Sequence, residues 1–449
     1  MQVNPGIFKA YDIRGIYPTE LNEEVGYALG RAFASFLQVD KVIVGRDMRL
    51  SGPQMFDAVS RGLMDQGADV FNIGMVSTDQ YYYACATLGL AGMMVTASHN
   101  PKEYTGFKMV RKMPQLLSGD KGIQDLRRIV ENDEYATPPT RQGTMVERDL
   151  SEEFVKMVLS LIDIEALAPL KVIADTGNGM VGPSLKRVYA QLPSVELVGM
   201  YLEPDGSLPN HGLDPLQPEN RAELQARVPA EGADVGFAFD GDGDRFFTID
   251  DRGQFVSGDF MTALLGSYLL EKYPGSKVLY DVRASWAVPD LIRAAGGTPL
   301  MERVGHTFIK ARMDQEEAIF AGEVSGHYYF KDFFFADSGI VPSLYILEML
   351  SKKKAKLSEL LQPLEAEYFI SGEINTRISG EPKEKMQELA EIFAEGTVEW
   401  LDGVSVTFYD WHFNVRPSNT EPLLRLNLEA KSKELMAEKR DQILEIIRA

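Results

Sequence analysis

A run of alternating aspartates and glycines is the strongest chemical signal in the chain. Residues 240–245 read DGDGDR and follow the apolar segment VGFAF. The glycines let the backbone turn, so the carboxylates of Asp240, Asp242 and Asp244 can face one point. Hard oxygen ligands in this number suit Mg²⁺ or Ca²⁺ rather than zinc. Carboxylates this close repel one another unless a cation lies between them, so the pattern favours a metal site over a solvated acidic turn.

An EF-hand calcium loop is the main alternative for this segment, because D-x-D-x-D matches its first five positions. The sixth position of an EF-hand is glycine, whereas this chain has Arg245, and the twelfth is Asp251 rather than glutamate. A strand-like segment also precedes the loop where an EF-hand has a helix. The sequence therefore favours a hard-cation site of a different kind.

A second loop gathers a hydroxyl, an imidazole, an amide and an ammonium within residues 96–108, TASHNPKEYTGFK. A serine hydrolase of the α/β type would show G-x-S-x-G around its nucleophile, and Ser98 lacks that context. Adjacent side chains usually point apart, so we expect His99 to be a poor general base for Ser98. A serine near a cation such as Lys108 and near a metal can instead carry a phosphoryl group. Composition alone would favour an ordinary loop or helix-cap serine.

A third loop, GEVSGHYYF at 322–330, offers groups that can bind a sugar. Alternate residues on an extended segment project to one side, so Glu323, Ser325 and His327 can face one ligand. A carboxylate and a hydroxyl both accept hydrogen bonds, which suits vicinal sugar hydroxyls. Taken alone, His327 would be read as an interior histidine.

A fourth loop is suited to phosphate oxygens. The segment RPSNTEPLLR (416–425) places the guanidinium of Arg416 close to the short polar residues Ser418, Asn419 and Thr420. The alternative is a polar hairpin turn. Near the amino end, AYDIRG adds Tyr11 and Arg14, which are weak signals because a loop arginine is usually a surface residue.

Strands and helices that alternate along the chain must position these loops. A short apolar strand, a polar turn and an amphipathic helix recur three times, beginning at KVIVGRD, KVIADTG and KVLYDV. This alternation predicts a mostly parallel sheet in each copy, with functional loops at the carboxyl ends of strands. After about residue 360 the pattern changes to antiparallel strands and a closing helix. We expect four domains, at 1–144, 145–250, 251–362 and 363–449.

Composition limits the class of protein. A chain of 449 residues with 45% hydrophobic and 25% charged residues is expected to fold into several soluble domains. Its net charge of −20 argues against nucleic acid or an anionic membrane as the main partner. There is no apolar run of the roughly 18 residues a membrane span needs, and the first residues do not resemble a signal peptide. The single cysteine, Cys85, suits a reducing cytoplasm and predicts a buried, inert thiol.

Together the motifs TASHNP, DGDGDR, GEVSGH and RPSNTEP, in this order, resemble those of the α-D-phosphohexomutase family, the phosphomannomutase and phosphoglucomutase enzymes. The resemblance covers the whole chain, with one motif per expected domain. It implies three similar mixed-sheet α/β domains and a fourth α+β domain, like the TATA-box-binding protein, around a central cleft. It also implies reversible phosphoryl transfer between C1 and C6 of a hexose phosphate through a phosphoserine and a hexose 1,6-bisphosphate.

The resemblance also assigns roles to residues. Ser98 would carry the phosphoryl group, and Mg²⁺ would be held by Asp240, Asp242, Asp244 and the phosphoserine oxygen, with Arg245 assisting. Lys108 and His306 would be general acid or base groups. The residues expected to contact substrate are Tyr11, Arg14, Arg283, Glu323, Ser325, His327, Arg416, Ser418, Asn419 and Thr420. At Arg283 the chain departs from the lysine expected in relatives; arginine keeps the charge but has a different fork geometry.

Several alternatives stay open at this stage. A phosphoglucosamine mutase is disfavoured by Asn419, where that branch resembles R-P-S-G-T. A non-catalytic phosphosugar-binding protein would be expected to lose Ser98 or an aspartate, and a phosphatase would need water to enter the site. We expect mannose phosphates and also glucose phosphates as substrates, hexose 1,6-bisphosphate as activator, and a cytoplasmic monomer or dimer.

Overall fold

The computed structural model describes residues 1–119, 121–417 and 423–448. The chain divides into two compact units. The first contains Met1–Val256 and Ser325–Leu357, and the second contains Ser257–Val324 and Ser358–Ala449. The described helices include none with the length and apolar character needed to span a bilayer.

A mixed sheet organises the start of the first unit. Its strands are β1 (Ile13–Ile16), β2 (Lys41–Arg46), β3 (Asp69–Met75), β4 (Ala91–Val95), β5 (Tyr104–Lys112), β6 (Gln115–Leu116) and β7 (Met145–Glu147). β2 pairs in parallel with β3 and β4, and β3 pairs in parallel with β7. β5 is antiparallel to both β4 and β1. The helices are α1 (Glu23–Leu37), α2 (Gly52–Asp65), α3 (Thr78–Leu88) and α4 (Ile123–Asn132).

The local sequence explains how α2 begins and ends. Pro53 lies in its first turn, where a missing N–H costs little. Gly67, just beyond the end, has a φ of 92°, a left-handed conformation that glycine adopts without strain. The apolar side chains of α2, such as Met55 and Val59, pack with β2 side chains such as Val42 in one buried core. This packing fixes the sheet from which the serine loop extends.

A second mixed sheet follows in the same unit. Its strands are β8 (Leu170–Asp175), β9 (Val195–Met200), β10 (Val235–Phe239), β11 (Phe246–Ile249) and β12 (Phe255–Val256). β8 pairs in parallel with β9 and β10, while β11 is antiparallel to β10 and to β12. The helices are α5 (Ser151–Leu159), α6 (Val181–Tyr189) and α7 (Pro218–Ala230). Leu224 and Val228 of α7 pack against Ile173 and Ile249 of the sheet.

The third repeat contributes elements to both units. In the second unit these are α8 (Gly258–Lys272), β13 (Lys277–Asp281), α9 (Ala287–Ala294), β14 (Thr298–Glu302), α10 (His306–Glu316) and β15 (Phe320–Gly322). β13 pairs in parallel with β14 and β15. In the first unit, β16 (Tyr328–Phe330) and β17 (Ala336–Asp337) form an antiparallel pair, followed by α11 (Ile340–Lys353).

The last region is an antiparallel sheet with helices. Its elements are α12 (Leu357–Glu367), β18 (Phe369–Ile370), β19 (Ile374–Arg377), α13 (Pro382–Ile392), β20 (Thr397–Glu399), β21 (Val404–Thr407), β22 (Trp411–Pro417), β23 (Leu423–Ala430) and α14 (Lys433–Arg448). The strand order is β18-β23-β22-β21-β20, and β19 also pairs with β23. The fold class predicted from sequence, three similar α/β repeats followed by an α+β region, is confirmed.

The three loops with predicted chemistry occupy the same place in each repeat. The first strand of each repeat's parallel core lies centrally, and the loop follows the third: Ser98 lies between β4 and β5, the aspartates between β10 and β11, and Glu323 between β15 and β16. Loops at the carboxyl ends of parallel strands are where such sheets bind ligands. The repeated topology therefore explains why chemistry recurs at these positions.

Candidate active site

Three buried aspartates lie together in the first unit. One carboxylate oxygen from each of Asp240, Asp242 and Asp244 lies within 4.8 Å of the others. Asp240 Oδ1 accepts hydrogen bonds from the backbone N–H groups of Gly243 (3.0 Å) and Arg245 (3.1 Å), which closes the turn. Among the described residues, Asp242 Oδ1 and Asp244 Oδ1 are buried without a hydrogen-bond partner. Buried carboxylate oxygens of this kind fit a hard cation, as the sequence predicted.

Lys108 on β5 is the cation nearest to this triad. Its Nζ donates to Asp242 Oδ2 at 2.8 Å and also to Asp244 Oδ2. Burial lowers the pKa of Lys108, but the charges of Asp242 and Asp244 act more strongly and leave it raised. Two hydroxyls, Thr78 Oγ1 (2.7 Å) and Thr96 Oγ1 (3.1 Å), also donate to Asp242 Oδ2. Asp242 Oδ2 thus accepts three hydrogen bonds, while Oδ1 is buried and accepts none among the described residues.

Asp240 and Asp244 differ in the direction of their pKa shifts. Burial and the charges of Asp242 and Asp244 raise the pKa of Asp240 well above its ordinary value. Burial also acts to raise the pKa of Asp244, but Lys108 and His327 overcome it, so that this pKa lies well below the usual range. The cluster therefore carries more negative charge than Lys108 alone balances, which is the electrostatic condition for binding a cation.

Ser98 faces the triad. Its Oγ donates to Asp240 Oδ2 at 2.8 Å, and its φ of 50° is in the left-handed region. Its Oγ also lies 3.2 Å from His99 Nδ1, so the expectation that these neighbours point apart is wrong. The left-handed turn at Ser98 brings the two side chains together. Burial, Arg245 and Arg14 lower the pKa of His99 well below its ordinary value, which keeps its imidazole neutral.

Arg49 holds the serine loop in place. Its guanidinium donates to the backbone carbonyls of Ser98 (2.8 Å), Asn100 (2.7 Å), Pro101 (2.7 Å) and Tyr104 (3.1 Å). These bonds fix the backbone from Ser98 to the start of β5. Arg49 was not predicted from the sequence, although it lies shortly after β2.

Gly241 allows the aspartate loop to approach the serine loop. A Cβ at this position would lie 2.7 Å from the carbonyl oxygen of Ser98, closer than a methyl group tolerates. Asp47 pairs with Arg49 Nε at 3.2 Å, and both side chains are buried. The two loops thus pack backbone against backbone. The distance from Ser98 to Asp240 is therefore set by Gly241 and by the hydrogen bonds of Arg49.

The loop that follows β15 reaches the same cluster within the first unit. Ser325 Oγ lies 3.0 Å from His327 Nδ1, and His327 Nε2 lies 3.6 Å from Asp244 Oδ1. Arg245 and His327 also form an antiparallel backbone bridge. His327 is therefore not an isolated interior histidine.

The amino-terminal candidates belong to the first unit as well. Arg14 on β1 donates to Asp12 and to Asn100 of the serine loop. Burial lowers the pKa of Arg14, but Asp12 and the more distant aspartates raise it overall. Tyr11, on the segment before β1, is half-buried.

The second unit holds other candidates. Arg283 Nε and Nη2 donate to Asp281 at 2.9 and 2.8 Å, and Nη2 lies 3.9 Å from Glu323. Glu323 is buried and accepts a hydrogen bond from Gly305 N at 3.0 Å, directly before His306 at the start of α10. The unit boundary falls between Val324 and Ser325, so the prediction that Glu323, Ser325 and His327 face one ligand stays a prediction.

Arg416 on β22 is buried, and its Nη2 donates to Glu373 at 3.2 Å. The predicted phosphate-binding residues Ser418, Asn419 and Thr420 lie outside the described residues.

Comparison with known proteins decides the family. The sequence matches the four phosphoglucomutase/phosphomannomutase domains in order: alpha/beta/alpha domain I at residues 5–137, domain II at 152–253, domain III at 257–368 and the C-terminal domain at 373–446. The chain belongs to the phosphoglucomutase/phosphomannomutase family.

Individual relatives agree with this assignment. The chain is 41% identical over 447 residues to a phosphomannomutase of Escherichia coli K12, with 97% of each chain covered. It is 39% identical to a phosphomannomutase of Vibrio cholerae, with 98% of each covered. A crystal structure of a family protein from Burkholderia thailandensis matches with a TM-score of 0.90 at 34% identity, covering 99% of this chain and 97% of that one. Parafusin, a phosphoglucomutase from Paramecium, shares the fold with a TM-score of 0.80 at 16% identity, covering 99% and 95%.

Within this family member, the first unit brings together predicted catalytic, substrate-binding and metal-binding residues: Ser98, Lys108, Arg245, Ser325, His327 and the three aspartates. The second unit brings Arg283 close to Glu323. Sequence reasoning missed Thr78, Thr96 and Arg49 in the first unit, and Glu373 in the second. Each of these four contacts residues distant in sequence. Thr96 begins the TASHNP motif, whereas Thr78 and Glu373 stand outside the quoted motifs.

Proposed function

We propose that this protein is a phosphohexomutase that transfers a phosphoryl group between C1 and C6 of a hexose phosphate. The observation that carries this proposal is Ser98 Oγ, 2.8 Å from Asp240 in a buried carboxylate triad that also holds Lys108. A hydroxyl in this setting suits a phosphoryl carrier, because phosphoryl transfer needs positioning and charge neutralisation more than covalent activation. Relatives named phosphomannomutase point to mannose 6-phosphate and mannose 1-phosphate, with glucose phosphates as further substrates.

In the proposed cycle, the phosphoryl group on Ser98 passes to the free hydroxyl of a hexose monophosphate. The acceptor oxygen forms a new P–O bond as the bond to Ser98 Oγ breaks, and the acceptor gives up its proton to a base. The resulting hexose 1,6-bisphosphate turns over, and its other phosphoryl group returns to Ser98. Each full cycle therefore regenerates the phosphoserine and conserves phosphate.

The residues of the first unit supply the electrostatics of this step. Mg²⁺ would be held by Asp240, Asp242, Asp244 and an oxygen of the Ser98 phosphoryl group, and it would neutralise charge on the phosphoryl oxygens. Arg245 stands next in sequence and would assist. Lys108 is a proton donor or acceptor candidate, and its aspartate partners must release it before it can serve as a base.

Substrate binding falls to several loops in this proposal. Glu323 and Ser325 would accept hydrogen bonds from O3 and O4 of the sugar, with His327 nearby and His306 as a further acid or base. Arg283, Arg416 and the residues Ser418, Asn419 and Thr420 would bind the phosphate that is not reacting. Tyr11 and Arg14 would line the substrate site. We also propose domain boundaries near residues 144, 250 and 362. The protein would act in the cytoplasm as a monomer or dimer.

The decisive experiment removes the phosphate from Ser98. Dephosphorylated enzyme should be inactive with a hexose monophosphate alone and should recover when a trace of hexose 1,6-bisphosphate is added, because a monophosphate and a bare serine lack the second phosphoryl group. Ser98→Gly should be inactive with or without the bisphosphate, and glycine accepts the left-handed backbone at this position without strain. The exposed Ser160→Ala is the matched control. Turnover by dephosphorylated enzyme in the complete absence of bisphosphate would refute the mechanism.

A further inference from the structure

Three arginines of the second unit share one carboxylate, that of Glu373. Its Oε1 accepts from Arg425 Nη1 at 3.0 Å. Its Oε2 accepts from Arg416 Nη2 at 3.2 Å and from Arg283 Nη1 at 3.4 Å. Glu373 stands directly before β19, and its side chain is 21% exposed.

The strands themselves bring these like charges together. Arg416 on β22 and Arg425 on β23 are direct partners across the antiparallel pair. Like charges at such positions repel, and the repulsion is stronger where the side chains are buried. Arg283 approaches from the turn after β13 with a side chain only 4% exposed. Glu373 is therefore the group that allows three cations to stay in one place.

One donor of the cluster remains for a further acceptor. Asp281 accepts two hydrogen bonds from Arg283, and Glu323 lies 3.9 Å from Arg283 Nη2. Burial acts to raise the pKa of Glu373, but the three arginines overcome this and lower it, so its carboxylate is ionised. Among the described residues, Arg416 Nε is buried without a hydrogen-bond partner. This donor is available to an incoming anion.

We propose that Glu373 is the internal counter-anion of the phosphate site, holding Arg416 and Arg283 in position between phosphates and giving up part of their hydrogen bonds when a phosphate binds. This inference rests on the proposed function, in which these arginines bind the non-reacting phosphate. The bisphosphate must leave this site and bind again in the opposite orientation. A carboxylate that takes back the guanidinium hydrogen bonds as the phosphate leaves lowers the cost of that release, because the arginines are never left without a partner. Glu373 is a positioning residue, since it acts through the arginines.

The test compares phosphate binding in Glu373→Gln and in the wild type. Glutamine keeps the size and one acceptor of the side chain but removes its charge, so the arginines should bind free anions more strongly. Isothermal titration of the full-length protein with inorganic phosphate should show binding about tenfold tighter in the variant. Its kcat for the mutase reaction should fall together with KM, because release becomes slow. The exposed Glu395→Gln in the same unit removes the same charge and should match the wild type.

A second variant guards against misfolding. Glu373→Asp keeps the charge but has a shorter reach to Arg416, so phosphate should bind only a few-fold more tightly. Phosphate binding that is unchanged or weaker in a folded Glu373→Gln, or equal in Glu373→Asp and the control, would overturn the proposal. Phosphate binding requires no turnover. If the wild type had no mutase activity and the Glu373 variants still bound phosphate more tightly than it does, the proposed function would be refuted. The counter-anion role of Glu373 would stand.

Discussion

The two units contain charge clusters of opposite sign. In the first, the carboxylates Asp240, Asp242 and Asp244 surround the ammonium of Lys108. In the second, three guanidinium groups surround the carboxylate of Glu373. Each cluster has one internal ion of opposite charge. The first offers carboxylate oxygens to a cation, and the second offers guanidinium groups to an anion.

The titration of buried carboxyls shows the same contrast. In the first unit, burial and neighbouring aspartates raise the pKa of Asp240. In the second, burial acts in the same direction on Asp281 and Glu373, but arginines overcome it and lower both pKa values. Burial acts to raise the pKa in each case, and the outcome depends on whether neighbouring cations outweigh it, as Lys108 and His327 do at Asp244 of the first unit. A phosphoryl-transfer enzyme needs both environments, one for the metal and one for the phosphate.

The largest expected effect comes from reducing the charge of the first cluster. Asp242→Asn should weaken Mg²⁺ binding at least about hundredfold, because a neutral amide replaces a carboxylate whose Oδ1 faces the cluster. Mutase activity should fall correspondingly and should recover in part at high Mg²⁺. Calorimetric titration with Mg²⁺ after treatment with EDTA measures the affinity.

The exposed Asp57→Asn, in the same unit, is the control and should bind Mg²⁺ like the wild type. Equal Mg²⁺ affinity in Asp242→Asn and in this control would show that the first cluster is not a metal site. The aspartate and arginine clusters would then differ in the sign of their charge, but the first would not bind a metal.

A smaller effect separates two uses of arginine. The guanidinium groups of the second unit face carboxylates, whereas that of Arg49 binds four backbone carbonyls in the first. Arg49→Lys keeps the charge, but a single ammonium cannot reach all four acceptors, so the serine loop should shift. We expect kcat to fall about a hundredfold, as for a small misplacement of a reacting group, with a loss of about 2–3 kcal/mol in stability.

Steady-state assays and urea unfolding measure these two changes. The exposed Arg61→Lys of α2 is the matched control. A normal kcat in Arg49→Lys would mean that other contacts hold the loop, and that charge is the only property of Arg49 that matters.

The contrast between local and distant contacts also explains what the sequence could predict. The aspartate triad was predictable because its members lie within five residues and alternate with glycine. The strand–helix repeats were predictable from periodicity. The contact between Ser98 and His99 was not, because it depends on the left-handed φ of Ser98. Glu373 gives no sequence signal either, since its partners come from positions 283, 416 and 425 and meet only in the folded unit.

The smallest expected effect concerns Asp79 of α3, a buried carboxylate that accepts hydrogen bonds from hydroxyl and backbone amide donors. Ser338 Oγ donates to it at 2.7 Å and Gln80 N at 2.8 Å, and Ser77 Oγ donates as well. Burial is the main cause that raises its pKa from 3.8 to about 6, while these hydrogen bonds oppose the rise and Asp244 adds to it. The folded state therefore binds a proton more tightly than the unfolded state.

The sign of the pH dependence follows from this shift. The contribution of Asp79 to stability is fully present below about pH 4 and is lost as the pH rises through about 6, a change of about 2–3 kcal/mol. Asp79→Asn keeps the shape of the side chain and cannot ionise, so its free energy of unfolding should gain on the wild type by that amount between pH 4 and pH 7. Urea unfolding of both proteins across this range isolates the titration of Asp79, because every other group contributes to both curves. The control Asp57→Asn should show a constant difference from the wild type. A constant difference for Asp79→Asn as well would mean that Asp79 titrates alike in the folded and unfolded states, and that its hydrogen bonds offset the effect of burial.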